Sequence, residues 1–281
     1  MALLVVVSLL WAFSFGLIKR FLGGVDSTLV AALRLALSLL VFLPFLRLRD
    51  VAPATAWRLA GIGALQFGVM YLAYIESFRH LRAYEAALFT ITTPVFVVLF
   101  ADALERRWRP LALAAALLAV AGTAVVVVRS SEIRVTLEGL VLVQLSNAAF
   151  ATGQVLYRRL RVADPGMRDR DVFALLYAGG SAVAGAALAL RAPSLALTTP
   201  QWLTLIYLGA GASGVGFFLW NVGATKVGPA ALSVMNNAKV PLGVAASITV
   251  FGESADLVGL GSGLALLGAA LWLAARTERT A

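Results

Sequence analysis

Lys239 stands two residues before Pro241 and just after Asn236 and Asn237, inside an otherwise apolar run spanning 229–251. A proline within a helix removes one backbone donor and frees the carbonyl four residues earlier. An ammonium, two amides and a freed carbonyl in one place suit a carboxylate or the polar backbone of a small molecule. The same ammonium could instead neutralise Glu76 or Glu85 in a structural ion pair, or snorkel to an interface. Further groups that could meet a solute fall at helical spacings. Tyr71 and Tyr74 are three apart, and Asn147 and Gln154 seven apart, so each pair shares one helix face. Trp11 with Ser14, and Trp220 with Asn221, add aromatic and polar groups at similar depth. Glu76, Arg79, His80, Arg82 and Glu85 crowd one short link, where a solvated gate network is expected. His80 is the one imidazole among them, which makes it a proton-coupling candidate.

These groups need a scaffold, and the composition says in what solvent. Of 281 residues, 61% are hydrophobic and 13% charged, whereas a water-soluble globular chain is about a quarter charged. Lipid is the expected solvent. Apolar runs fall at 2–18, 28–46, 57–78, 83–101, 110–128, 138–157, 172–190, 202–225, 229–251 and 257–275. Each is near the roughly 20 residues that a membrane helix needs, so the pattern predicts an all-α integral membrane protein with ten transmembrane helices. The first run opens at Met1 without the basic region and cleavage site of a secretory signal, and reads as a helix. A run such as 111–128 does not alternate apolar with polar residues, which excludes barrel strands. The net charge of +9 belongs to short loops, pointing to lipid headgroups and not to nucleic acid. Fourteen Lys and Arg fall in one set of loops and ends and seven in the opposite set, which predicts both termini in the cytoplasm. With no cysteine and one histidine, no disulfide, thiol chemistry or His/Cys metal cluster is expected, and no cofactor.

The chain also repeats itself. Pro94 and Pro241 lie 147 positions apart, each in mid-run and each a candidate hinge. Glu105 follows the first by eleven residues and Glu253 the second by twelve, and each is succeeded by a last run with a late glycine, Gly122 or Gly268. The same offset sets Ser77-Phe78-Arg79 against Ala224-Thr225-Lys226, and Gly16 and Gly153 each follow a phenylalanine (Phe13, Phe150) by three. Residues 1–129 and 138–275 therefore read as two five-helix repeats, with 276–281 a cytoplasmic tail. An odd helix number inverts the second copy. Inverted repeats around a midplane site are a recurrent plan of secondary transporters working by alternating access.

With these features, and with Trp11-Ala12-Phe13-Ser14-Phe15-Gly16 and Arg34, the sequence resembles the EamA repeats of the drug/metabolite transporter superfamily across essentially the whole chain. Its general character is similar to YddG-type exporters of aromatic and other amino acids. The resemblance implies a ten-helix carrier with a central cavity and no ATPase, and substrates ranging over amino acids, amines, nucleotide sugars and drugs. An arginine at the place of Arg34 is usual in that family; pinning neighbouring helices through carbonyls is the role expected of it.

The function expected is export of a small metabolite, an amino acid first, across the cytoplasmic (inner) membrane, by a monomer in lipid. A drug or amine carrier of the same fold is the alternative. An intramembrane enzyme lacks its motifs here, and a channel would show a ring of charges or carbonyls in a symmetric pore. Gly209, Gly211 and Gly214 match G-x-G-x-x-G, but no strand precedes them, and close helix packing is the expected role. The candidate substrate-binding residues are Lys239, Asn236, Asn237, Trp11, Ser14, Tyr71, Tyr74, Asn147, Gln154, Trp220 and Asn221. Glu76, His80 and Glu85 are the gate or coupling candidates.

Overall fold

The computed structural model describes residues 1–49, 51–81, 86, 89–128, 136–251 and 257–279. Among them every regular element is a helix and none is a strand. Without water to satisfy an exposed backbone, a bilayer leaves few other choices. The segments are α1 (Ala2–Leu17, running on as a π-helical turn over Ile18–Leu22), α2 (Ser27–Phe42), α3 (Pro53–Ser77), α4 (Thr93–Glu105) and α5 (Pro110–Val128). Then come α6 (Leu137–Ala163), α7 (Asp169–Arg191), α8 (Thr199–Ala224), α9 (Pro229–Phe251) and α10 (Leu257–Arg279). Among the described residues six stretches are long and apolar enough to cross a membrane, Ser27–Phe45, Pro53–Ser77 and Thr199–Ala224 being three of them. Arg82, Glu85, Arg129, Arg134 and Glu253 lie outside the described residues.

The helix ends depart from the apolar runs where local chemistry allows. Helix α3 starts at Pro53, four residues early, because proline fits the first turn, where its missing donor is not needed. Helix α7 starts with Asp169 and Asp171 in its first turn, where carboxylates oppose the helix dipole. At the far end of α6, Arg161 meets Asp169 at 2.8 Å and Tyr157 donates to the same carboxylate at 2.5 Å, carrying that helix past its apolar stretch to Ala163.

Besides the π-helical end of α1, two helices widen in their interiors among the described residues. Helix α3 widens into a π-helical turn over Ala64–Val69, and α8 does so over Tyr207–Val215. Each wide turn is packed by a helix from the other half of the chain: α7 lies on the turn in α3, and α2 on the turn in α8. Small residues permit the approach. A Cβ on Gly63 would sit 1.8 Å from the Leu176 carbonyl oxygen, and one on Gly179 1.9 Å from that of Ala60. On the other side, Gly209 would meet Leu37 at 2.7 Å, so the G-x-G-x-x-G stretch is a packing surface within a helix. Helices α5 and α10 lie along one another at one edge, with Leu117 and Trp272 more than half exposed.

Candidate functional site

The wide turn in α8 organises the site. A π-helical turn shifts the backbone hydrogen-bond ladder and leaves carbonyls open to other donors. Trp11 donates its indole N–H to the carbonyl of Ala212 at 2.8 Å, and the Tyr177 hydroxyl reaches those of Ser213 and Gly214 at 2.8 and 2.6 Å. Ser38 donates to the carbonyl of Gly209 at 2.7 Å. The Ser213 hydroxyl lies 2.8 Å from the Tyr71 hydroxyl and accepts from Arg34 Nε at 3.1 Å.

These contacts shape one wall of an open cavity of about 110 Å³. Its polar lining is Ser14, Arg34, Tyr71, Tyr74, Thr90, Thr93, Ser146, Asn147 and Lys239. Trp11, Phe150, Phe217, Ile18 and Met70 form the apolar part. Trp11 stands edge-on to Phe217 at 5.1 Å and to Phe150 at 6.2 Å, which fixes the ring wall. The two cations of the lining both rest on aromatic faces: Lys239 Nζ lies 5.6 Å from the centre of Trp11, and the Arg34 guanidinium 4.5 Å from that of Tyr71. Among the described residues no carboxylate comes within ion-pair distance of either. Glu76, a possible partner for Lys239, is instead held by Arg79 and Arg191 at 3.0 Å each. Glu85 is outside the described residues.

Of the candidate binding residues, Lys239, Trp11, Ser14, Tyr71, Tyr74 and Asn147 come together on the cavity wall. The other five sit off the lining and fully buried. Trp220 donates to Gln154 Oε1 at 2.9 Å, Gln154 reaches Asn236 at 3.4 Å, and Gln66 donates to Asn221 at 3.1 Å. The first chain ties α8, α6 and α9 and the Gln66–Asn221 pair ties α3 to α8, together a bolt in which only Gln66 Oε1 lacks a partner among the described residues. Asn237 donates to the carbonyl of Ile91 at 2.8 Å, while Asn147 donates to that of Phe89 at 2.8 Å. The two amides hold the 3₁₀ turn Thr90–Thr92 from both sides.

That turn precedes Pro94, which occupies the first turn of α4 and not the middle of a continuous helix. The carbonyl of Thr90, which the proline nitrogen cannot serve, accepts the Thr93 hydroxyl at 2.6 Å. Pro241 does lie inside α9. Arg34, expected to pin helices through carbonyls, bonds a hydroxyl and an aromatic face instead, and lines the cavity. Its sequence signals are a charge two turns inside an apolar run and its part in the family resemblance. Thr90, Thr93 and Phe217 carry no distinguishing signal, and Phe150 only its place in the internal repeat.

Off the cavity lining, Arg191 from the end of α7 meets Glu76 at 3.0 Å and Asp26 at 3.9 Å, and Ser27 donates to Glu76 at 2.9 Å. Burial pushes the Asp26 carboxyl up. Hydrogen bonds from the Thr28 hydroxyl and the backbone N–H groups of Leu29 and Thr28, with the Arg191 charge, outweigh it and hold the group below the usual carboxylate range. His80 lies 3.6 Å from Glu138, away from the cavity lining.

Comparison with known proteins follows the same lines. Residues 1–128 match the EamA-like transporter family. A biotin transporter of Salmonella typhimurium is 40% identical over 97% of this chain and 92% of its own. A probable biotin transporter of Pseudomonas aeruginosa is 43% identical over 97% and 96%, and a biotin transporter of Escherichia coli 38% identical over 100% and 96%. A solved crystal structure superposes with a TM-score of 0.78 over 97% of this chain and 95% of that one, at 23% identity, which establishes likeness of fold.

Proposed function

The chain belongs to the EamA-like transporter family, as a membrane metabolite transporter and not an enzyme, and from that premise we propose that its cargo is biotin, with the carboxylate held by Lys239. The observation that carries this reading is a cavity with two cations on aromatic faces and no carboxylate among its described lining residues. An unpaired cation in low dielectric is costly and favours an anion. Biotin brings one carboxylate, an apolar chain and ring for Trp11, Phe150 and Phe217, and a polar ureido group. Export of an amino acid, the narrower expectation, shares the carboxylate. The amino acid's ammonium, however, would enter a positively charged cavity with no described acid to receive it.

The proposal includes the architecture that moves the cargo. Ten crossings form two inverted five-helix halves, 1–129 and 138–275, with both termini and the tail 276–281 in the cytoplasm. The protein works as a monomer in the lipid of a bacterial inner membrane. The wide turns of α3 and α8, each packed by the second helix of the opposite half, support the repeat. In alternating access the hydrogen-bonded bolt closes one side of the cavity, and the cluster at Glu76, with His80 and Glu85 nearby in sequence, gates the other. Pro241 and the turn before Pro94 serve as hinges.

Counterflow in proteoliposomes tests the proposal. Vesicles preloaded with unlabelled biotin should transiently accumulate labelled biotin above equilibrium, and an amino-acid preload should not drive it. Accumulation driven by amino acids and not by biotin would reverse the assignment. Loading from either side reads direction, outward being the sequence-based expectation.

A further inference from the structure

Arg34 and Lys239 face one cavity with different unmet demands. Arg34 already has an acceptor, the Ser213 hydroxyl at 3.1 Å, and the π-face of Tyr71 at 4.5 Å. Its terminal nitrogens have no hydrogen-bond partner among the described residues. Lys239 has no acceptor at all among those residues, only the face of Trp11 at 5.6 Å. The ammonium is a compact, strongly hydrated charge, and bare in a low dielectric it draws an anion harder than a guanidinium whose charge is spread and partly met. Between the two stands Phe217, edge-on to Trp11 at 5.1 Å and to Tyr71 at 5.9 Å. The wall therefore runs from an ammonium, across apolar rings, to the edge of a guanidinium.

We infer that Arg34 is a substrate contact that reads the uncharged polar end of the cargo, its terminal N–H groups donating to the ureido oxygen while Lys239 holds the carboxylate at the other end. The inference rests on the biotin reading and extends it to the residue that sets specificity. The paired N–H groups of a guanidinium fit the two lone pairs of one carbonyl oxygen. A purely structural arginine would instead spend those groups on backbone carbonyls, and Arg34 does not.

Three probes separate the ends: biotin itself; lipoate, which keeps a pentanoate chain on a sulfur ring but lacks the ureido group; and biotinamide, which keeps the ureido group but lacks the charge. Binding to the purified full-length protein is the readout. Wild type should prefer biotin over lipoate by roughly ten- to a hundredfold, the worth of one charge-assisted hydrogen bond. Arg34→Gln should erase that preference by weakening biotin and biotinamide while leaving lipoate unchanged. Lys239→Gln should do the reverse, weakening biotin and lipoate and sparing biotinamide. If Arg34→Gln does not fold, Arg34→Lys keeps the charge over Tyr71 with poorer geometry and should narrow the preference part of the way. Equal loss of all three probes in a folded Arg34 variant, or a wild type that binds biotin and lipoate alike, would overturn the role given to Arg34 and leave the biotin reading intact. A wild type that binds none of the three would overturn both.

Discussion

The cavity wall and the bolt beneath it are built from similar residue types and differ in what those residues have left to offer. In the bolt, Trp220, Gln154 and Asn236 form one hydrogen-bonded chain and Gln66 with Asn221 a second pair, each residue fully buried, and Gln66 Oε1 is the one side-chain oxygen among them without a partner in the described residues. On the wall, Lys239 and the terminal nitrogens of Arg34 have no acceptor among the described residues. A polar residue in lipid is expensive in either place. What separates a recognition group from a fastening is whether the protein itself supplies the partner.

The contrast is broken most forcefully at Lys239. Lys239→Met should leave folded yield near that of wild type while biotin transport falls about ten- to a hundredfold, as loss of one charged hydrogen bond implies. If the ammonium instead neutralised a carboxylate, folded yield would fall, and removing that carboxylate as well would restore it. In the bolt the signs should be exchanged. Gln154→Leu strands the Trp220 indole N–H and one Asn236 oxygen, which costs about 1–3 kcal/mol for a buried unsatisfied group. Thermal unfolding in detergent should register that loss, while biotin affinity shifts less than about threefold, under roughly 0.7 kcal/mol. A large loss of affinity without a loss of stability would place Gln154 in the binding machinery.

How far the contrast was legible in the sequence follows from how far apart its partners lie. Apolar runs of membrane length are local, and the helices fall close to them. The ends shifted where Pro53, Asp169 and Arg161 offered local chemistry that hydropathy does not weigh. The fate of each polar residue was set elsewhere. Trp220 finds its acceptor 66 positions back in the chain, and Arg34 finds Ser213 179 positions ahead. Periodicity could say that Asn147 and Gln154 share a face, but not that one lines a cavity and the other a bolt. The wide turn of α8, whose carbonyls hold Trp11 and Tyr177, showed in the sequence only as glycines that permit close packing.

A smaller effect is expected at the Glu76–Arg191 pair. Arg191 is 40% exposed in its pair with Glu76, so solvent screens the interaction. Glu76→Gln should change stability by less than about 1 kcal/mol. It should alter the rate of transport and its salt dependence more than biotin affinity, and an affinity change as large as that of Lys239→Met would move Glu76 from gate to binding site. The smallest effect belongs to the α5–α10 edge. Leu117→Ala, on the exposed face of α5, should leave transport within about twofold, because surface substitutions away from special features typically stay within 0.5 kcal/mol. A transport defect there would mean that α5 moves with the cavity.

The most direct test of the central claim is an experimental structure of the protein with biotin bound. The carboxylate should lie within about 4 Å of Lys239 Nζ, the distance of an ion pair, with the ring system against Trp11 and Phe217 and the Trp220–Gln154 hydrogen bond intact below. Biotin seated with its carboxylate away from Lys239, or among the residues of the bolt, would contradict the account.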